Sequence, residues 1–228
     1  FERTKEDIAS TATGASGRTN VGAMVVALPT LLSPAMGLLK KKSAHARVMV
    51  EEGDLTRLLP RLRRGELDVL VGRLEPGYAA PDLDTEALYQ EPMCLVVNTN
   101  HALTQQKKIT WALLAQQAWV VPPPWASSRI KLEQIFHKHG LNLPSDLIES
   151  ASFLAISCAI RDHHAIGFVA RGVGLHFQKE GLFKVLSMPL NMDLPPIGMI
   201  TLRSQKSSLT TQTLMACLRD VAARKKKT

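Results

Sequence analysis

Long apolar runs are missing from this sequence: none approaches the roughly 18 to 20 residues that a membrane-spanning helix needs, and no charged start, short apolar core and small-residue cleavage site opens it. A membrane partner and a visible export signal are therefore excluded, and the expected compartment is the cytoplasm. Cysteine is scarce. The three that occur, Cys94, Cys158 and Cys217, form no CxxC and sit in apolar surroundings such as Met93-Cys94-Leu95-Val96, so a zinc site or disulfide framework is excluded and buried reduced thiols are expected. Aromatics make up only 5% of the chain. None interrupts the basic clusters Lys40-Lys41-Lys42, Arg61/Arg63/Arg64 and Arg224-Lys225-Lys226-Lys227. Without stacking groups among them, these clusters read as solvated helix faces rather than a nucleic-acid surface. A Gly-Lys-Ser/Thr phosphate loop, a Gly-x-Ser-x-Gly elbow and an internal repeat are also lacking.

What is present is an ordinary globular composition, 45% hydrophobic and 21% charged over 228 residues, which suits one large or two small domains. The net charge of +8, from 28 basic against 20 acidic residues, favours anionic partners. The chain opens on Phe1 rather than Met, which reads as a fragment, and residues 1–17 as the end of a linker from something upstream. Residues 21–28 are a continuous apolar run ended by Pro29, which predicts a buried strand, and 31–39 a helix with Pro34 in its first turn. A strand at 48–50 follows, then Asp54 as N-cap of a helix with Leu55, Leu58, Leu59 and Leu62 on one face, stopped by Gly65, then a strand at 67–71. Strand, helix, strand, helix, strand means parallel pairing with right-handed crossovers.

Residues 76–81 read as loop and 91–98 as a strand. A second α/β unit follows: a strand at 118–121 closed by Pro122-Pro123-Pro124, a helix capped by Ser127 or Ser128 and ended by Gly140, a helix capped by Ser150 or Ser152, and a strand at 165–169. A strand at 197–202 and a helix at 207–224 complete the chain. The fold class is α/β, with two Rossmann-like lobes, the second inserted into the first.

Several motifs fail as chemistry. Ser128-Arg129-Ile130-Lys131 matches Ser-x-x-Lys, but the companion Ser-Asp-Asn and Lys-Thr-Gly segments are absent. Gly172-Val173-Gly174 opens like a dinucleotide fingerprint, yet Phe177 stands where the third glycine belongs; a glycine-rich turn into a short helix is expected instead. His137 and His139 point to different helix faces, and Glu51-Glu52 to opposite sides of a strand. Catalytic residues, metal ligands and cofactors are accordingly expected to be none. What remains are the strand-to-helix junctions, where helix N-termini offer unpaired N–H groups to anions. These are Leu28-Pro29-Thr30, Gly53-Asp54-Leu55, Trp125 with Ser127 and Ser128, and Ser152-Phe153. Hydroxyls beside a Trp and a Phe suit a small polar or anionic metabolite.

Residues 17–27, Leu28-Pro29-Thr30, Val50-Glu51-Glu52-Gly53, the block from Leu58 to Gly72 containing Gly65-Glu66-Leu67-Asp68, Leu88-Tyr89-Gln90-Glu91, His101-Ala102-Leu103 and Trp119-Val120-Val121 before the prolines together resemble the effector-binding domain of LysR-type transcriptional regulators. The pattern is nearest to members controlling sugar uptake or protocatechuate breakdown. The resemblance implies a fold like type 2 periplasmic binding proteins, with lobe I at 18–96 plus 192–223, lobe II at 97–191, a basic tail at 224–228, and a small-molecule inducer held between lobes. It also implies an upstream winged helix-turn-helix that alone contacts DNA, a homo-oligomer (a dimer of this domain, a tetramer at full length) and RNA polymerase as a further partner. Where the family shows Leu-Pro, this chain has Val169-Ala170-Arg171, which adds Val169 to the expected effector shell. The rival classes are a transport solute receptor of the same fold and a small α/β enzyme.

Overall fold

The computed structural model describes residues 17–225. The expected linker, apart from Gly17, and the tail at 226–228 lie outside the described residues. The chain divides into two compact units, one built up to Tyr89 and again from Pro196, the other from Gln90–Pro195 inserted into it.

The first unit is a five-stranded sheet of β1 (Arg18–Ala23), β2 (Arg47–Glu52), β3 (Val69–Arg73), β4 (Leu83–Tyr89) and β10 (Ile197–Leu202), in the order β2-β1-β3-β10-β4. β1, β2 and β3 are parallel, as the alternation of strands and helices requires, and β10 runs antiparallel between β3 and β4. Alternate side chains of the central strands enter two cores. Val21, Ala23, Val69 and Val71 pack under α1 (Ser33–Lys42) and α7 (Leu209–Lys225), whereas Leu70 and Ile200 pack under α2 (Leu55–Arg63).

The Gly-Glu-Leu-Asp block pins β3 onto β1. Gly65 turns the chain at φ 70, and Leu67 is buried. The Asn20 amide donates to Asp68 Oδ2 at 2.7 Å while the Asp68 amide returns to the Asn20 carbonyl at 2.8 Å. Glu66 stays outside, held below the usual carboxylate range by Arg64 and then Arg61.

The second unit holds β5 (Met93–Val97), β6 (Trp119–Val121), β7 (Leu147–Glu149), β8 (Ile166–Ala170) and β9 (Lys184–Val185), in the order β7-β6-β8-β5-β9. Its helices are the short α3 (Trp111–Leu114), then α4 (Ser127–Lys138), α5 (Phe153–Asp162) and α6 (Arg171–Lys179). Trp119 is fully buried, edge-on to Phe136 at 5.3 Å, and its indole N–H donates to the Leu114 carbonyl at 2.8 Å.

Four expectations need correction. The chain passes between units at Tyr89/Gln90 and Pro195/Pro196, not at 96/97 and 191/192, because Met93–Val97 hydrogen-bonds to Ile166–Ala170 in the second sheet. The apolar run 21–28 is not one strand: β1 stops at Ala23, and a 3-10 turn, Val25–Ala27, leads into a π-helical turn, Leu28–Leu32. Gly172 and Gly174 lie inside α6 rather than in a turn before it. A Cβ on Gly174 would come within 2.7 Å of the Cys94 sulfur, so this glycine lets α6 approach β5. Lastly, Cys94 and Cys217 are buried but Cys158 is only half-buried, with its sulfur 3.7 Å from the Arg161 guanidinium. Burial pushes the Cys94 thiol up to about 12.

His101 caps the 3-10 turn Ala102–Gln105, its Nδ1 accepting from the Leu103 amide at 3.1 Å. Burial pushes its imidazole down, partly opposed by a hydrogen bond with the backbone of His164. Because the folded value lies below the ordinary 6.5, the fold favours the neutral ring; this stabilisation is complete above 6.5 and is lost as pH falls through the folded value. The melting temperature is therefore expected to drop between about pH 7 and pH 5 more steeply in the wild type than in His101→Asn, which keeps an acceptor and does not titrate. Parallel pH profiles of the two proteins would remove this role.

Candidate functional site

In the first unit the carboxyl ends of β1 and β2 lead directly into helices. After β1 the π-helical turn Leu28–Leu32 runs on into α1, with Pro29 in its first positions. Pro34 has no N–H to give the Thr30 carbonyl, and a wider turn at this point accommodates its ring. No acidic residue lies in the first turn of either segment. Thr30 is half-buried, and its Oγ1 accepts from Lys225 Nζ at 2.9 Å. Leu28 packs against the core.

After β2, Asp54 caps α2 as expected, accepting from the Arg57 amide at 3.2 Å and from the Thr56 hydroxyl. A carboxylate therefore already answers the partial positive charge of that helix end. Leu55 is buried among Leu58, Leu59 and Leu62, and a Cβ at Gly53 would sit 3.3 Å from Leu58. Leu55 packs into the core beneath α2.

In the second unit, β6 ends at the prolines, and Trp125 follows them 56% exposed. Neither Ser127 nor Ser128 caps α4; the N-cap is Ala126. The reason is local: the Ala126 amide closes a turn onto the Pro123 carbonyl at 3.0 Å, and the Ala126 carbonyl already accepts from Arg129 and Ile130. The two serines thus begin the first turn itself, with Ser128 buried and Ser127 half-buried.

Ser152 does cap α5, accepting from the Ala155 amide at 3.4 Å, while its own amide donates to Ser150 Oγ at 3.0 Å. Phe153 stacks on Phe177 at 4.3 Å and lies edge-on to Phe183 at 6.1 Å, so its ring is committed to a cluster against the core. Val169 is a buried core residue of β8. At the end of β8, buried Glu91 accepts from the Gly172 amide at 2.8 Å and supplies an acid to the start of α6.

The junctions therefore sort by charge. Carboxylates occupy the starts of α2 and α6, a hydroxyl that of α5, whereas the helical run that begins at Val25, with Thr30 five residues inside it, and α4 begin without an acidic or side-chain cap. A helix start of the second kind is where an anion gains most. Glu91, Tyr89 and Lys225 carry no local signal because their partners lie far along the chain, and Arg129 joins the near Glu133 to the more distant Glu149.

The remaining basic clusters are largely answered by acids. Arg61 pairs with Glu51 and Glu66, Arg63 with Asp82 at 2.8 Å, Arg64 with Glu66 at 2.5 Å, and Lys42 with Asp220 at 3.6 Å. His139 stacks on Trp111 at 5.6 Å and His163 pairs with Asp146 at 2.8 Å. Among the described residues, no group of three or more His, Cys, Asp or Glu is placed to hold a metal, and no helix is long and apolar enough to cross a membrane.

The sequence profile of the LysR substrate binding domain matches residues 12–223. The chain belongs to this family. As a LysR substrate binding domain it is 24% identical over 215 residues to the HTH-type transcriptional regulator GbpR of Azospirillum brasilense, covering 94% of this chain and 63% of that protein. It is 26% identical to GalR of Pseudomonas putida, covering 90% of this chain and 51% of that one. The domain thus spans between half and two thirds of these relatives. Among solved structures, the cofactor-binding domain of the Cbl transcriptional regulator superposes with a TM-score of 0.75 at 18% identity, covering 93% of each chain. The CcmR regulatory domain of Synechocystis PCC6803, solved in complex with 2-PG, superposes with a TM-score of 0.71 at 18% identity, covering 91% of this chain and 98% of that one. These likenesses establish the two α/β units as the fold of LysR regulatory domains, the type 2 periplasmic-binding-protein fold.

Proposed function

We propose that this domain is the sensor of a cytoplasmic LysR-type regulator, binding a small anionic or polyhydroxy metabolite and controlling transcription through DNA-binding domains elsewhere in the full-length oligomer. The observation that carries the reading is the pair of helix starts without an acidic or side-chain cap, at Val25 in the first unit, five residues before Thr30, and at Ser127 and Ser128 in the second. Leu28, Pro29, Gly53, Asp54 and Leu55 in the first unit, and Trp125, Ser152, Phe153 and Val169 in the second, complete the residues proposed to contact the effector. An effector acts here only by binding one of two states of the assembly more tightly than the other. The family membership favours this reading over a transport receptor.

The test is a thermal-shift and calorimetric screen of aromatic acids, their ring-cleavage lactones, sugars and sugar acids. At least one class is expected to raise the melting temperature with dose, and Thr30→Ala to weaken that ligand about tenfold, as loss of a hydrogen bond to a charged group does. Unchanged affinity in Thr30→Ala would overturn the site.

A further inference from the structure

A cavity in the first unit shares no residue with the junctions proposed for the effector. It has a volume of about 610 Å³, within the size range of small-molecule sites, and is lined by Lys206, Ser207, Gln212, Met215 and Arg219. Gln212, Met215 and Arg219 follow one another at three and four residues, so they share one face of α7. That face lies beside the stripe of Thr211, Leu214, Leu218 and Val221 that enters the core. The Gln212 side-chain amide donates to the Ser207 carbonyl at 2.8 Å and so holds the end of the loop between β10 and α7 against the helix. Met215 is half-buried against the core and gives the cavity an apolar wall.

Two cations reach this cavity. Arg219 is fixed, because its Nε and Nη2 donate to the two carboxylate oxygens of Glu86 on β4, each at 2.7 Å, and its Nη1 stays outside that fork. An arginine already held by a bidentate pair loses little further freedom when its remaining N–H groups are used. Glu86 answers the Arg219 charge, so the excess charge at the cavity is that of Lys206, an exposed side chain with no ion-pair partner among the described residues. An anionic group set against Lys206, Arg219 Nη1 and the Ser207 hydroxyl leaves the rest of its molecule to lie on Met215, whose polarisable thioether favours an aromatic body. A bare anion would gain only the charge, and a neutral molecule only the apolar wall.

We propose that this cavity is a second small-molecule site, for an organic acid with a compact aromatic body. It goes beyond the effector-sensing role proposed above and does not rest on it.

The test is NMR of the whole chain carrying isotope-labelled methionine methyl groups, with the Met215 signal assigned through Met215→Leu. The probes, at constant ionic strength, are phenylacetate, its neutral counterpart phenethyl alcohol, and acetate, which lacks the ring. Phenylacetate is expected to move the Met215 signal saturably with a Kd of about one millimolar, as a small ligand in an open site allows, and the other two to bind at least about tenfold more weakly. Lys206→Gln should weaken phenylacetate about threefold to fivefold, the size of one exposed ion pair, while Lys206→Arg keeps it within about twofold. Adding Arg219→Gln to Lys206→Gln should raise the loss to about tenfold or more, since Glu86 is then an unanswered anion beside the site. Unchanged positions of the other methionine signals in these variants report an intact fold. Thr30→Ala should leave the Met215 titration as it is; loss of the response there would mean that the signal reports binding at Thr30, which overturns the second site and leaves the effector reading standing. A Met215 signal that stays still at about 20 mM phenylacetate overturns the site as well. Equal responses to acetate or phenethyl alcohol overturn the ligand class, and indifference to both Lys206→Gln and the double variant overturns the assignment of the two cations.

Discussion

Replacing Gly198 by Ala is expected to destabilise the first unit by about 3 kcal/mol or more, near the upper end for overpacking. β10 is not an edge strand but lies between β3 and β4, and its register against β4 shifts between Ile197 and Gly198. A Cβ on Gly198 would collide with the backbone carbonyl of Glu86 and approach Leu74 Cδ1 to 2.7 Å. The leucine could rotate away, but the carbonyl is fixed by the strand, so backbone must move in the middle of the sheet. Gly37→Ala, on the exposed face of α1 with nothing within 4 Å of the new methyl, is the control. There alanine is expected to add about 0.5 to 1 kcal/mol through helix propensity. Hydrogen exchange of the β3 and β10 amides measures both changes in the unit concerned. Tryptophan fluorescence does not, because Trp111, Trp119 and Trp125 all lie in the inserted unit. Wild-type protection in Gly198→Ala would mean that the bulge absorbs a methyl group by a cheap local shift.

Elements with a strong local signal are those the sequence announces. The parallel strands of the first unit, the N-caps Asp54 and Ser152, and the strand Ile197–Leu202 each rest on a pattern of a few residues. What escaped depends on partners far along the chain. β4 is an edge strand whose burial alternates poorly, with Asp84 and Thr85 both exposed, so no period-two stripe marks it. The apolar run after β1 conceals two turns because residues such as Ala27, Leu31 and Leu32 are buried in helical as well as extended backbone. Ser127 and Ser128 are good capping residues, but the turn set by Pro123 starts the helix before they can cap it. The basic end of the chain reads locally as a frayed tail; in the fold Arg224 and Lys225 belong to α7, and only the antiparallel course of β10 explains why Lys225 reaches Thr30. The helix starts at Asp54, Ser127 and Ser152 were legible as places, whereas Thr30 lies five residues inside a helical run that begins at Val25, and the junction at Gly172 escaped because its acid, Glu91, lies far back in the sequence.

Arg129→Met is expected to destabilise the inserted unit strongly. Arg129 is 6% exposed in the first turn of α4, where its charge opposes the helix end, so its stability depends on its partners. Nε donates to Glu133 at 2.7 Å, and Nη1 donates to Glu149 on β7 at 2.6 Å and to the Pro122 carbonyl at 3.3 Å. One guanidinium thus ties α4, the neighbouring strand and the start of the proline loop. Removing one member of a buried pair costs about 3 to 5 kcal/mol when the survivor stays buried. Here the surviving carboxylates are 40% and 41% exposed and can regain water, which places the expected loss nearer about 2 to 3 kcal/mol. Lysine keeps the charge but not the fork, so Arg129→Lys should fall between methionine and wild type. The indole of Trp119, buried in the same unit, gives the unfolding midpoint directly. Since the same contacts fix Ser127 and Ser128 at the head of α4, effector affinity should weaken in Arg129→Lys under conditions where that variant is fully folded. A Trp119 transition in Arg129→Met at the wild-type denaturant concentration would show that the proline loop and α4 hold their places through packing alone.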